Sequence, residues 1–403
     1  MINYIALAIP FFFLLIALEY ILTRRTHPEY YRLNDSLNDL STGIGQQVFN
    51  IFIKGLLAAG YLYLYDRFRI WDIPTSAAWA WALCFIGVDF FYYWFHRMSH
   101  EINMIWAAHV VHHQSEEYNL TVALRQSALQ GSFSWVFYLP LAVIGFPPVM
   151  FFANSSFNTL YQFWIHTRAI GKLGALEWIF NTPSHHRVHH GRNPKYIDKN
   201  HAGTLIIWDK LFGTFQVEEE EPVFGITKPL ASWNPLWANW HYWVEIGQLA
   251  RQCRGLDKLR AFVAPPGWRP AYLGGFQSPP PISEQSLAKY DAGHDSPYTG
   301  YVLAQFVLLT VATTALLLLE NRMPLGQQLP GALFIGCGLI TIGAMLESRP
   351  WAMRLEFLRL LSLPVVLTAA GYSQLPTVIL AFAAAMGSIL WLTRLTAIPA
   401  RKP

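Results

Sequence analysis

Charge is what this chain lacks. Asp, Glu, Lys and Arg together make up 13% of its 403 residues, where a soluble domain carries roughly 25%, so an ordinary water-soluble globule is excluded. Cysteine is scarce as well. Cys84, Cys253 and Cys337 stand far apart with no C-x-x-C pair, which excludes a disulfide framework and a cysteine zinc site. The net charge is only +4, and no stripe of Lys and Arg interleaved with aromatics runs along the chain, so nucleic acid is not an expected partner. The first apolar stretch, Ile5 to Leu22, is too long for a signal-peptide core and has neither a basic run before it nor a small-residue cleavage site after it. It reads as a retained membrane helix.

What is there is apolar: 53% of the residues are hydrophobic and 15% aromatic. Crossing a bilayer takes about 20 apolar residues. Windows of that kind lie at 4–22, 43–65, 77–95, 300–320, 330–347 and 375–393, with weaker ones at 129–146, 149–165 and 357–371. The expected fold is all-α, a polytopic membrane helix bundle. Pro147 and Pro148 separate two of the weaker windows and predict a sharp reversal between two helices. Counting crossings from an outside N-terminus puts Arg24, Arg25, Arg32, all the histidine motifs, the Arg349–Arg354 loop and Arg401–Lys402 on one side. That side holds most of the basic residues and is therefore expected to be cytoplasmic.

Residues 167–297 contain no membrane-length apolar run and are rich in Pro, Gly, Asn and charge. They are expected to cap the site, with a Pro-rich linker at Pro279 to Pro281. The predicted division is 1–297, carrying the site and its cap, and 298–403, a set of C-terminal membrane helices with almost no ionisable residue inside them.

Ten of the 14 histidines gather between residues 96 and 190. His96 and His100 form H-x-x-x-H; His109, His112 and His113 form H-x-x-H-H; His185, His186, His189 and His190 form H-H-R-V-H-H; His166 stands alone. Spacings of three and four put side chains on one helical face, so imidazoles from neighbouring helices can converge on metal. Nitrogen donors suit iron, copper, nickel or zinc. One zinc needs three or four ligands, whereas eight to ten are enough for two ions, and two irons that activate dioxygen are the economical reading. A lone histidine is more often a hydrogen-bonded core residue, which is how His27, His241 and His294 read. Three spaced groups at the ends of membrane helices are another matter, since one ionisable residue there costs roughly 2.5–3.5 kcal/mol.

Two carboxylates join the candidates. Asp89 lies two helical turns before His96 in an apolar span, where it is expected to accept the second N–H of a ligand imidazole. Glu101 follows His100; the zinc-protease pattern H-E-x-x-H fails because position 104 is Met104, so Glu101 is expected to offset metal charge, directly or through water. Tyr92 and Tyr93 are open between hydrogen-bond donors behind the ligands and interfacial anchors. Asn158, Gln162 and His201 could fill vacant coordination positions, although His201 reads better as a surface or substrate contact. Arg125, Arg168 and Arg187 are available for a lipid head group.

The text around these histidines, HRMSHEINMIWAAHVVHHQSEEYN (96–119) and NTPSHHRVHHGRNPKYIDKNHAGTLIIWDKLFGTF (181–215), resembles the fatty acid hydroxylase and sterol desaturase superfamily, over roughly residues 30–245. Within it the chain is most similar to the members that act on glyceryl ethers. The resemblance implies a di-iron enzyme using dioxygen, with tetrahydrobiopterin as electron donor, to hydroxylate the carbon next to the ether oxygen of an alkylglycerol. It implies His96, His100, His109, His112, His113, His186, His189 and His190 as ligands with Glu101, and His166 matches a family histidine. It also implies a lipid substrate, a possible reductase or pterin-recycling partner, and residence in the bacterial inner membrane or the endoplasmic reticulum. His201 departs from the pattern, which has a tyrosine there.

Three other readings compete. A sterol, fatty acyl or head-group hydroxylase or desaturase of the same superfamily would share the site and differ in turnover. A membrane metal transporter would line several spans across the bilayer with acids and histidines, whereas here the ligands gather at one depth. Haem needs one ligand from each of two helices, and these groups hold too many.

Overall fold

The computed structural model describes residues 4–283, 287–292 and 297–396, so His294 and Arg401–Lys402 lie outside the described residues. Every apolar window becomes helix. In chain order the α-helices are α1 (Tyr4–Thr23), α2 (Leu33–Phe68), α3 (Ala78–Glu101), α4 (Asn103–Ala107), α5 (Val110–His113), α6 (Gln130–Ile144), α7 (Pro148–Trp164), α8 (Pro183–His190), α9 (Ile207–Phe212), α10 (Pro235–Gln252), α11 (Asp257–Val263), α12 (Thr299–Leu319), α13 (Leu325–Leu346), α14 (Ala352–Ala369) and α15 (Leu375–Thr396). Among the described residues the only β pairing is one isolated bridge, Phe180 to Leu205. The segments containing α2, α3, α12, α13 and α15 are long and apolar enough to cross a membrane.

The helix ends follow local chemistry. Pro148, Pro183 and Pro235 each open a helix, where the missing N–H costs nothing and φ is already helical. The Asn234 side chain accepts from the Leu236 and Trp237 amides at the start of α10, a standard N-cap. Gly145 ends α6 at φ 113°, and a Cβ there would lie 1.9 Å from the Trp71 carbonyl oxygen. Only glycine fits, and the chain turns into α7 through Pro147 as the proline pair predicts.

Helix α2 starts ten residues before its apolar window. Its first turns carry Asp35, Asn38, Asp39, Ser41 and Thr42, all buried, and a hydropathy window discards them because they are polar. They are buried by the histidine-bearing segment: Asp39 accepts from Arg125 Nη1 at 3.1 Å and from Thr121 Oγ1 at 2.8 Å. Gly43 of α2 lies so near the Leu124 carbonyl that a Cβ would meet it at 2.1 Å. Helix α2 also joins two apolar cores. Leu37, Val48 and Ile51 pack with Phe306, Leu309 and Leu339 of the C-terminal helices, while Tyr61 packs with Cys84, Val88, Leu141 and Phe151 of α3, α6 and α7.

The C-terminal helices are less bare than expected. Glu356 and Arg359 of α14 are both buried; Arg359 Nε donates to Glu356 Oε2 at 2.8 Å, and Arg359 Nη2 to Gln305 Oε1 of α12, also at 2.8 Å. A charge pair that also satisfies its hydrogen bonds internally is the form in which ions are tolerated inside a membrane bundle.

Candidate metal centre

The histidines divide into two buried sets. His96, His100, His109, His113 and His189 bring one donor atom each to within 4.8 Å of one another, and His112, His166, His186 and His190 do the same. Helical spacing alone does not set the division. The four-apart pairs 96/100 and 109/113 stay together in the five-histidine set and 186/190 in the four-histidine set, but the three-apart pairs 109/112 and 186/189, which also share a face, are split between the two, and His185, four before His189, joins neither. His166, just past the end of α7, completes the smaller one. The sets are neighbours, with the His113 and His190 rings stacked at 4.4 Å between centroids.

Hydrogen bonding fixes the tautomers. Nδ1 of His96, His112, His166 and His189 lies 2.7–2.9 Å from the backbone carbonyls of His201, Arg125, Gln162 and Lys199 respectively. A carbonyl only accepts, so these Nδ1 atoms carry the hydrogen and Nε2 bears a bare lone pair. Gln130 Oε1 receives His109 Nδ1 in the same way at 2.9 Å. Yet the bare His96 Nε2 faces the bare His109 Nε2 at 3.1 Å, and the bare His166 Nε2 faces the bare His112 Nε2 at 3.2 Å, with His186 Nε2 also 3.0 Å from His166 Nε2. Lone pairs turned on one another repel. Protonation is no remedy, because burial pushes His109 and His166 down to about 4 and His112, His113, His186, His189 and His190 well below 6.5. A shared cation is: metal–nitrogen bonds of roughly 2.0–2.1 Å meeting near a right angle set two nitrogens about 3 Å apart. The residues present therefore fit metal in both sets.

These depressed values set a pH dependence. Below an unfolded value near 6.5 the unfolded chain takes up protons that the folded chain refuses until about 4, so stability is full above that range and falls with acid. Protons compete with metal for the same lone pairs, which adds to the loss. Melting temperature and bound metal should both decline as pH drops from about 7.5 to 5. A flat profile for both would contradict this reading.

Other expected residues lie elsewhere. Asp89 is buried but touches no imidazole: its carboxylate accepts from Asn158, the Thr204 and Leu205 amides and the Trp208 indole at 2.6–3.0 Å. It ties α3 to the segment before α9. The carboxylate nearest a ligand is Asp198, whose Oδ1 is 3.5 Å from His100 Nδ1. Glu101 belongs to neither set; its side chain is 40% exposed and pairs with Arg97 at 2.8 Å, one turn back. His185 is buried outside both sets, its ring against Phe215. Gln162 Nε2 donates to Asn158 Oδ1 at 2.7 Å, and the Gln162 backbone carbonyl holds His166 Nδ1. The Tyr92 ring lies 5.3 Å from that of His96, while the Tyr93 hydroxyl bonds Thr214 at 3.0 Å. His241 is a hydrogen-bonded core residue, as read, and His27 pairs with exposed Glu29. Arg125, Arg168 and Arg187 are held by Asp39, Glu117 and Glu218, so none is free for a head group.

A cavity of about 560 Å³ reaches His100, His113, His189 and His190, a volume within the range of small-molecule sites. Trp106, Tyr242, Ile246 and Trp268 supply apolar wall, and Asp198, Lys228, Glu245 and Arg269 supply charge. Its walls come from α4, α10 and the loops of the cap.

The fatty acid hydroxylase family matches residues 81–214. Alkylglycerol monooxygenase of Xenopus tropicalis is 41% identical over 367 residues, covering 89% of this chain and 81% of the relative. The Homo sapiens protein of that name is 40% identical over 370 residues, with the same coverages of 89% and 81%. The ornithine lipid hydroxylase OlsE of Rhizobium tropici is 27% identical over 148 residues, 36% of this chain and 45% of the relative. No solved structure matches.

Proposed function

This chain belongs to the alkylglycerol monooxygenase family, and from that premise we propose that it binds two irons in its nine-imidazole centre and hydroxylates the carbon next to the ether oxygen of an alkylglycerol. It is a membrane oxidoreductase that incorporates oxygen into lipid. The observation that supports the metal reading best is the two contacts in which bare Nε2 lone pairs face one another, His96 to His109 at 3.1 Å and His112 to His166 at 3.2 Å. Iron, when bound, supplies the activation of dioxygen.

The chain's own groups do the rest. His96, His100, His109, His113 and His189 hold one ion, and His112, His166, His186 and His190 the other. Backbone carbonyls and Gln130 lock the tautomers from behind, and Asp198 faces the back of His100. Trp106 packs its ring 4.9 Å from His100 and 5.4 Å from His113, which keeps bulk water from the reacting carbon and so protects the oxidant. Arg269 and the Lys228–Glu245 pair, joined at 2.6 Å, line the cavity, and their remaining hydrogen-bonding capacity offers partners to glycerol hydroxyls. One oxygen atom enters the C–H bond and the other leaves as water, so two electrons and two protons are required. Tetrahydrobiopterin is the proposed donor, with a reductase or pterin-recycling partner to restore it. The hemiacetal so formed breaks its C–O bond to give fatty aldehyde and glycerol.

Access for lipid is proposed along α10 and α11. Leu236, Trp240, Leu256 and Leu259 are turned outward, with Arg251, Arg254 and Lys258 exposed among them, the mixture that an element lying in a membrane interface carries. On the distribution of basic residues we place the site on the cytoplasmic face. Residues 298–403 are proposed as a scaffold for the 1–297 domain.

The test is turnover of purified protein in nanodiscs with an alkylglycerol, tetrahydrobiopterin and dioxygen, run beside sterol, fatty acyl and ornithine-lipid substrates. Fatty aldehyde from the ether lipid alone is expected, and none after iron is chelated. Full activity without iron would sink the mechanism; hydroxylation of another lipid class in place of the ether would sink the substrate.

A further inference from the structure

His201 is fully buried at 0% exposure, and neither of its ring nitrogens has a well-formed hydrogen bond, the Asp198 backbone being the one protein group beside the ring that could supply one. No other imidazole near the two sets is in that condition. His100, His189 and His190 have an unpartnered Nε2, as expected of donors facing a metal, and His186 an unpartnered Nδ1 on the side away from its Nε2 contact with His166, in each case one nitrogen per ring. The His201 ring centroid lies 5.0 Å from that of His100, 5.6 Å from His189 and 5.7 Å from His96. It borders three members of the five-histidine set without contributing to it.

Its position is held from the backbone. The His201 and Ala202 amides donate to Asp209 at 2.7 and 2.8 Å, and the His201 carbonyl receives the Nδ1–H of His96 at 2.7 Å. The segment cannot retreat without releasing a ligand. The nearest hydroxyl ring, Tyr93, is engaged with Thr214 and Arg97. A neutral imidazole has one N–H and one lone pair; the Asp198 backbone can meet the N–H alone, and burying the lone pair unmet is costly, so a polar group that is not protein is expected against this ring.

We propose that His201 is the hydrogen-bond partner of the small exogenous ligand at the five-imidazole ion: water at rest, and any small oxygen- or nitrogen-donor molecule that replaces it. It is a positioning residue for that ligand and not itself bound to metal. This rests on the metal reading above.

The experiment measures iron content and azide binding in oxidised, purified protein. Wild type is expected to hold two irons and bind azide with a visible charge-transfer band. H201L should keep both irons while its azide Kd rises about tenfold or more. Asn places a polar atom where Nδ1 stands and Gln where Nε2 stands, so one of H201N and H201Q should return to within about threefold of wild type and the other should not. Loss of an iron from H201L would make His201 a ligand and overturn the proposal. Azide binding within about twofold of wild type in all the variants that fold would overturn it too. If H201L does not fold, equal and wild-type-like binding by H201N and H201Q decides against it. Wild type without iron would bring down the metal reading and this one with it; two irons with indifferent variants would bring down this one alone.

Discussion

Replacing His189 by alanine is expected to remove one of the two irons per chain and to lower turnover on the order of a thousandfold, about 4 kcal/mol of barrier. His189 lies in the middle of the five-histidine set, its ring 4.3 Å from His96, 4.9 Å from His100 and 4.8 Å from His113. Its Nδ1–H is committed to the Lys199 carbonyl at 2.9 Å, and its Nε2 has no protein partner. The lone pair therefore has one use. Alanine removes it and leaves a gap among four imidazoles that no neighbouring side chain is placed to fill.

The control is His185→Ala, four residues earlier on the same short helix but outside both sets. It is expected to keep both irons and most of the activity, at the cost of packing against Phe215. Metal analysis and ether-lipid turnover on the two variants, side by side, check the division of the motif. If His189→Ala retained both irons with more than about a tenth of wild-type activity, the five-histidine set would not be a metal site.

That one motif yields both a ligand and a bystander shows where the sequence stops being informative. The three histidine groups, the nine apolar helices and the proline reversal could be read directly, because each depends on spacing within a few residues. The family resemblance read over 30–245 also understates the likeness, since relatives align over 89% of the chain. What could not be read depends on residues distant in sequence. Asp89 and Asp198 are both near ligands along the chain or in its motifs, but only the fold decides that Asp89 faces the Thr204 amide while Asp198 meets His100. Glu101 is adjacent to His100 and for that reason cannot share its helical face; Arg97, one turn away, takes it. His201 was read as a surface or substrate contact, and nothing local says that it is buried beside three ligands.

The same limit hid the residue with the largest expected effect on stability. Arg125 is 1% exposed. It donates through Nε to the Val111 carbonyl at 2.6 Å, through Nη2 to Gln114 Oε1 at 2.6 Å, and through Nη1 to Asn38 and to Asp39, the latter at 3.1 Å. It thus ties the buried polar start of α2 to the H-x-x-H-H segment, and its own carbonyl holds His112 Nδ1 at 2.9 Å. Arg125→Met should destabilise the protein by about 3–5 kcal/mol, because Asp39, Asn38, Gln114 and the Val111 carbonyl lose their buried donor together.

A double substitution separates charge from packing. With Asp39→Leu added, the unpaired buried carboxyl is gone, and a large part of the loss should return, since replacing a buried pair by apolar side chains is often neutral. Iron content should not return with it. The Val111 carbonyl and Gln114 still lack their donor in the double variant, so the loop carrying His112 stays loose and the four-histidine ion should bind more weakly than in wild type. Denaturation midpoints and metal stoichiometry on the two variants measure both effects. Equal recovery of stability and iron would mean that Arg125 serves only to neutralise Asp39, and that the histidine loop is held by other contacts.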